Sequence, residues 1–104
     1  IHQAVVTACR PKPGFHVKRI LSFEVPSATE WQSPLFQPNF VPNWFEDISD
    51  TLELKDKALD AYKNEMREWP HTRSIKAIKH LTRWRGASVG VKAAEAFMLV
   101  REIR

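Results

Sequence analysis

Residues 70–97 read Pro-His-Thr-Arg-Ser-Ile-Lys-Ala-Ile-Lys-His-Leu-Thr-Arg-Trp-Arg-Gly-Ala-Ser-Val-Gly-Val-Lys-Ala-Ala-Glu-Ala-Phe. The segment from Ser74 alternates apolar and basic residues at helical spacing, and Gly86 is placed to end it. This predicts a helix over residues 74–85. At 100° per residue, Ala77, Ile78, Leu81 and Trp84 cluster on one side, and Lys76, Lys79, His80 and Arg83 lie opposite. Residues 93–100 follow as a run that is apolar on both faces apart from Glu95, which predicts a covered or central strand. A helix feeding a buried strand is the basic step of an α/β layer.

Upstream, the same alternation of elements continues. Residues 2–9 read as the end of a helix, stopped by Arg10-Pro11-Lys12-Pro13-Gly14. Residues 17–25 read as a strand carrying Ile20, Leu21, Phe23 and Val25. Residues 26–43 form a long irregular stretch in which Pro26, Pro34, Pro38 and Pro42 exclude regular structure, while Trp31, Phe36, Phe40 and Trp44 supply apolar anchors. Long ordered loops of this kind are often lids or binding walls. A short strand over residues 44–48 precedes a helix with Ser49 as N-cap and Asp50 and Glu53 in its first turn. Pro70 predicts that this helix runs to about Glu68. Leu52, Ala58, Leu59, Tyr62 and Met66 make its buried stripe.

The bulk properties narrow the function classes. With 104 residues, the chain is one domain or part of one. Its 43% apolar and 27% charged residues are ordinary globular values. No apolar run would span a bilayer, and no charged-then-apolar leader marks secretion, so a cytoplasmic location fits. Cys9 is the only cysteine, which excludes an intramolecular disulfide and a multi-cysteine metal site. The opening Ile1-His2-Gln3-Ala4-Val5-Val6, without an initiator Met, resembles the interior of a helix and suggests that residues precede it. The four histidines, His2, His16, His71 and His80, stand in no metal-ligand spacing. Neither is there a glycine-rich phosphate loop. A net charge of +4 is compatible with an anionic partner. The basic stripe of Lys76, Lys79, His80 and Arg83 nevertheless reads as a solvated face, because nucleic-acid modules add exposed aromatics and Trp84 falls on the apolar side.

The order Pro-His-Thr-Arg-Ser, Arg-Trp-Arg-Gly and Val-Gly-Val-Lys-Ala-Ala-Glu-Ala-Phe resembles the C-terminal signature of the LmbE/PIG-L family of zinc-dependent N-acetylglucosaminyl deacetylases. Residues 17–31 resemble that family's mid-chain strand and following loop. Pro38-Asn39-Phe40 and Phe45-Glu-Asp-Ile-Ser49 resemble its later strand-to-helix junction. Thr72 departs from the usual second proline of Pro-His-Pro-Arg-Ser.

The resemblance implies the C-terminal half of a Rossmann-like open sheet flanked by helices, with residues 1–104 part of a single deacetylase domain. It implies that the zinc ligands and the Asp general base lie in motifs upstream of Ile1, where zinc would activate water against an acetamide. This chain would then hold no catalytic residue and no metal of its own. It would be inactive by itself and completed by the missing N-terminal half. The implied substrate is an N-acetylated sugar conjugate; homo-oligomers are possible, and nucleic acid and membrane spans are not expected. A non-catalytic or assembly member of the same fold is the alternative, and a basic nucleic-acid-binding module a weaker one.

Arg19, His71 and Arg73 match family positions expected at the substrate cleft, and Trp31 in the proline-rich loop is a fourth candidate. Arg19 either reaches the cleft or closes a strand-end salt bridge. His71 and Arg73 match a loop expected to border the active site; for Arg73 the favoured reading is instead structural, pairing with Glu95 to lock that loop to the last strand. Trp31 either stacks on a sugar ring or, as the favoured reading, anchors its own loop. Arg19 and His71 are expected on one side of one cleft.

Overall fold

The apolar runs that predict strands pair into a single antiparallel sheet. In the computed structural model, which describes residues 1–14, 17–31, 33, 35 and 39–104, the elements are α1 (His2–Ala8), β1 (Arg19–Phe23), β2 (Trp44–Asp47), α2 (Leu52–Ala61), α3 (Ile75–Ala87) and β3 (Ala94–Glu102). Short 3-10 turns occupy Thr29–Trp31 and Lys63–Glu65. His16, Pro34, Phe36 and Pro38 lie outside the described residues. The sheet order is β1-β3-β2, so β3 is the central strand, as its two-sided apolar pattern predicts. All strand pairs among the described residues are antiparallel. The chain is therefore mixed α/β with a small three-stranded sheet. No described helix is long and apolar enough to cross a membrane.

Cross-strand pairing organises one sheet face. Phe23, Phe97 and Trp44 stand in one row across all three strands, and cross-strand aromatic pairs of this kind stabilise a sheet. Leu21 and Leu99 form the next row. A register shift between Ile20 and Leu21 then leaves Val100 unpaired. Asn43 extends the β2 ladder by accepting the Leu99 N–H at 2.7 Å through its side chain.

Helix α3 sits close to β3 because Gly86 allows it. Ser74 caps its N-terminus by accepting the Ala77 N–H at 3.0 Å. The predicted stop at Gly86 is displaced. Gly86 is buried inside the helix, where its missing side chain makes room for the backbone of Val91 and Ala93. The stop is supplied instead by Gly90 at φ +82°. Val91 N–H bonds the Gly86 carbonyl at 2.9 Å and Gly90 N–H the Ala87 carbonyl at 3.3 Å, a Schellman closure.

The buried arc of α3 is rotated from the predicted one. Thr82 and Gly86 are its buried centre, with Ile75, Ile78, Leu81 and Arg85 half-buried around them. Trp84 is 64% exposed and does not pack on the sheet. The apolar count misled here because a threonine and a glycine, neither scored as apolar, face the strand.

Helix α2 begins and ends inside its predicted span. Asp47 accepts both the backbone N–H and the hydroxyl of Ser49, at 2.9 and 2.6 Å. These bonds hold its carboxyl below the ordinary range and tie Ser49 into a turn, so Thr51 becomes the N-cap residue. At the other end the hydrogen bonds tighten to three-residue spacing from Leu59 onward. Tyr62, expected in the core, is 65% exposed, and Ala58 is exposed as well. Without burial, nothing carries the helix to Glu68.

The core is small. Among the described residues the buried apolar set is Ile20, Ala93, Ala94 and Ala96, and no large side chain is fully buried. The radius of gyration is 15.7 Å, against about 13 Å for a compact chain of this length.

Candidate functional site

Where β1 ends, the chain enters a tight turn that faces the loop before α3. Thr29 closes this turn: its N–H bonds the Val25 carbonyl at 2.9 Å, and its hydroxyl accepts the Val25 N–H at 2.6 Å. Ser27 adopts a left-handed φ of 68° and donates its N–H to Glu30 at 2.6 Å. The opposing loop is held by His71, whose Nδ1 accepts the Arg73 N–H at 3.0 Å, and by the Ser74 N–H bonding to the His71 carbonyl at 3.0 Å. Thr72, in this loop, lines the same cavity as Glu30 and helps to hold the Glu30 carboxyl below its ordinary value.

Between these loops and α3 lies a cavity of about 540 Å³. Glu24, Thr29, Glu30, Thr72 and Arg85 give it polar walls, and Phe40 and Leu81 apolar ones. Its size and lining suit a small polar ligand. A second hollow of about 300 Å³ shares Glu24, Pro26, Leu81 and Arg85 with it and extends towards Lys55 and Glu95.

The shared wall is an ion pair. Arg85 donates to Glu24 through Nε at 3.0 Å and Nη2 at 2.8 Å, with the two side chains 20% and 16% exposed. This two-pronged geometry is the strong form of a guanidinium–carboxylate contact. Further along, Lys55 bonds Glu95 at 2.9 Å and the Thr82 hydroxyl at 3.2 Å.

Partial burial pushes the Glu30 carboxyl up, but hydrogen bonds from Thr72 and from the Glu30 and Ser27 N–H groups, with the His71 charge, bring it below its ordinary value. Glu30 is thus ionised at neutral pH and serves as a hydrogen-bond acceptor, not a proton donor. Two carboxylates, a guanidinium and two threonine hydroxyls in one cavity match the donors and acceptors of a polyol.

The four residues expected at the substrate are not brought together. Arg19 makes the strand-end contact: it pairs with Glu102 at 2.5 and 3.1 Å and lies 4.5 Å over the Trp44 ring. Its side of β1 is separated from Glu24 by about 16 Å of extended chain. The expected Arg73–Glu95 pair does not form, because Glu95 is taken by Lys55 across from α2. Arg73 instead contributes backbone bonds, its N–H to His71 and its carbonyl to the Arg67 N–H at 3.2 Å. Trp31 is 81% exposed, so it is not a buried anchor among the described residues, and the turn beside it is closed by Thr29 and Glu30. His71, Arg73 and Trp31 flank Thr72 and Glu30 at the cavity edge, and Arg19 stands apart.

Glu24, Glu30 and Arg85 were not singled out by their spacing. The available signal was charge out of place: a glutamate ending an apolar strand, and an arginine in the inward arc of a helix.

Among the described residues no three His, Cys, Asp or Glu side chains converge as metal ligands. The zinc implied by the resemblance thus has no ligand set among them. No protein-family model matches the sequence, and no curated protein and no solved structure matches it.

Proposed function

We propose that this chain is the substrate-facing wall of a metal-dependent N-deacetylase of the LmbE/PIG-L type, acting on an N-acetylglucosamine conjugate in the cytoplasm, with zinc held outside these residues. One observation carries the reading. The loops at residues 26–31 and 70–74, which separately resemble family segments, line one polar cavity, with Thr29 and Glu30 from the first and Thr72 from the second. Thr72 is the position where the chain departs from the family pattern, and it gives the cavity a hydroxyl that a proline would lack. Sugar hydroxyls would be held by Glu24, Glu30, Thr29, Thr72 and Arg85, with Trp31, His71 and Arg73 at the rim. Arg19 belongs to the sheet edge in this reading.

A larger open sheet of Rossmann type is part of the proposal. β1 and β2 each have β3 as their strand neighbour among the described residues, so either outer edge is placed to accept a further strand. The small buried core supports completion by other residues. It equally supports the assembly reading, in which Phe23, Trp31 and Val41, at 66%, 81% and 63% exposure, are covered by a partner. Acetate release from N-acetylglucosaminyl substrates by the longer polypeptide that would contain this chain separates the two. A metal-loaded, folded polypeptide that releases none favours assembly.

A further inference from the structure

The outward face of α3 has a composition that the proposed deacetylase role does not use. Lys76, His80, Arg83 and Trp84 fall within one arc of about 100°, and all four are exposed. Lys79 borders the arc and pairs loosely with Asp56 at 3.7 Å. The helix carries Lys76, Lys79, Arg83 and Arg85 and no acidic residue. Arg85 points the other way, into its pair with Glu24.

Two indoles stand on this face. Trp84 is 64% exposed and Trp69 52%. Trp69 is braced on the helix: Lys76 Nζ lies 5.0 Å from its ring centroid, and His80 meets it edge-on at 5.4 Å. The indole is therefore held against the helix by Lys76 and His80, at little further entropic cost on binding. Exposed aromatic rings interleaved with basic side chains are the physical requirement for single-stranded nucleic acid, whose bases stack while its phosphates are neutralised. An amphipathic membrane anchor requires an apolar face to bury in lipid. The apolar arc of α3 is turned towards β3 and the cavity, with Thr82 and Gly86 buried, so it is not available.

We infer that the Trp69–Lys76–His80–Arg83–Trp84 face binds single-stranded nucleic acid, independently of the cavity. The test is fluorescence anisotropy of a fluorescein-labelled oligo(dT) strand titrated with the full chain between 50 and 200 mM salt, with anionic vesicles and heparin as competing probes. Three phosphate contacts, through Lys76, Lys79 and Arg83, give a slope of log affinity against log salt of about −2. Trp84→Ala should weaken binding about tenfold. Trp84→Phe, which keeps a stacking ring, should restore most of that loss. The paired Lys76→Glu and Arg83→Glu changes should abolish binding, with far-UV circular dichroism unchanged because both sites are exposed. Absence of binding at 50 mM salt overturns the inference. So does binding to vesicles but not to the oligonucleotide, or an affinity that Trp84→Ala leaves unchanged.

Discussion

Replacing Gly86 by Ala would place a β-carbon 2.7 Å from the Cα and N of Ala93 and 2.7 Å from the carbonyl oxygen of Val91. All three are backbone atoms, so no side chain can rotate out of the way. Relief requires α3 and the start of β3 to separate by several tenths of an ångström, at the junction where Ala93 and Ala94 are almost fully buried. Overpacking of this kind costs about 1–3 kcal/mol. The better helix propensity of Ala returns about 1 kcal/mol. The balance is a loss of about 0–2 kcal/mol, or up to roughly 15 °C in Tm for a chain of this size. Thermal melts followed by circular dichroism, with urea titrations alongside, measure it. Gly90 is the internal control. It has open space around its Cβ position but a φ of +82°, so Asn, which tolerates that conformation, should be nearly neutral there. Asn at 86 should be worse than Ala. A Gly86→Ala variant that melts above the wild type would refute the close helix–strand contact.

Three further outcomes follow from the ion pairs and carboxylates. Arg85→Ala strands the Glu24 carboxylate at 16% exposure and should cost about 1–3 kcal/mol by urea denaturation, with the Glu24→Gln/Arg85→Met double variant recovering part of it. Arg19→Ala removes the main hydrogen bond that holds the Glu102 carboxyl below its ordinary value, so NMR titration should find Glu102 back in the ordinary carboxylate range, and an unmoved Glu102 would contradict the pair. Glu30, Asp47 and Glu102 all have lowered values in the fold. Their contributions are therefore present above the unfolded carboxylate range, near pH 4–4.5, and are lost as pH falls through the lower folded values. The urea midpoint should not change between pH 6 and 8 on their account, and a rise on acidification below pH 4 would oppose the assignment.

The strands were readable because β-branched and aromatic runs bounded by proline and glycine admit few alternatives. Arg19–Phe23, Trp44–Asp47 and Ala94–Glu102 each fall within two residues of the predicted limits. Pairing direction was not readable, since the apolar content of β3 suits a central strand of either sense. The orientation of α3 was missed because Thr82 and Gly86 face the sheet for reasons of size, which hydropathy does not record. The N-terminal shift of α2 traces to Asp47, whose side chain engaged Ser49 before the helix could. At the candidate site, Thr72 stood out only as a departure from a pattern, and Glu30, which lines the same cavity, lies 42 positions away in sequence. Contacts between loops of that separation have no local signature.

The central claim is that the cavity between residues 26–31 and 70–74 holds an N-acetylated sugar for deacetylation. Acetate release from an N-acetylglucosaminyl conjugate, measured on the longer metal-loaded polypeptide with wild-type, Glu30→Gln and Thr72→Ala chains, tests it most directly. The account predicts acetate release by the wild type and a fall in kcat/KM of about 5- to 20-fold in each variant, equivalent to about 1–2 kcal/mol of transition-state binding, with the fold intact. Wild-type kcat/KM in both folded variants, or no acetate release from any N-acetylhexosamine substrate, would contradict it.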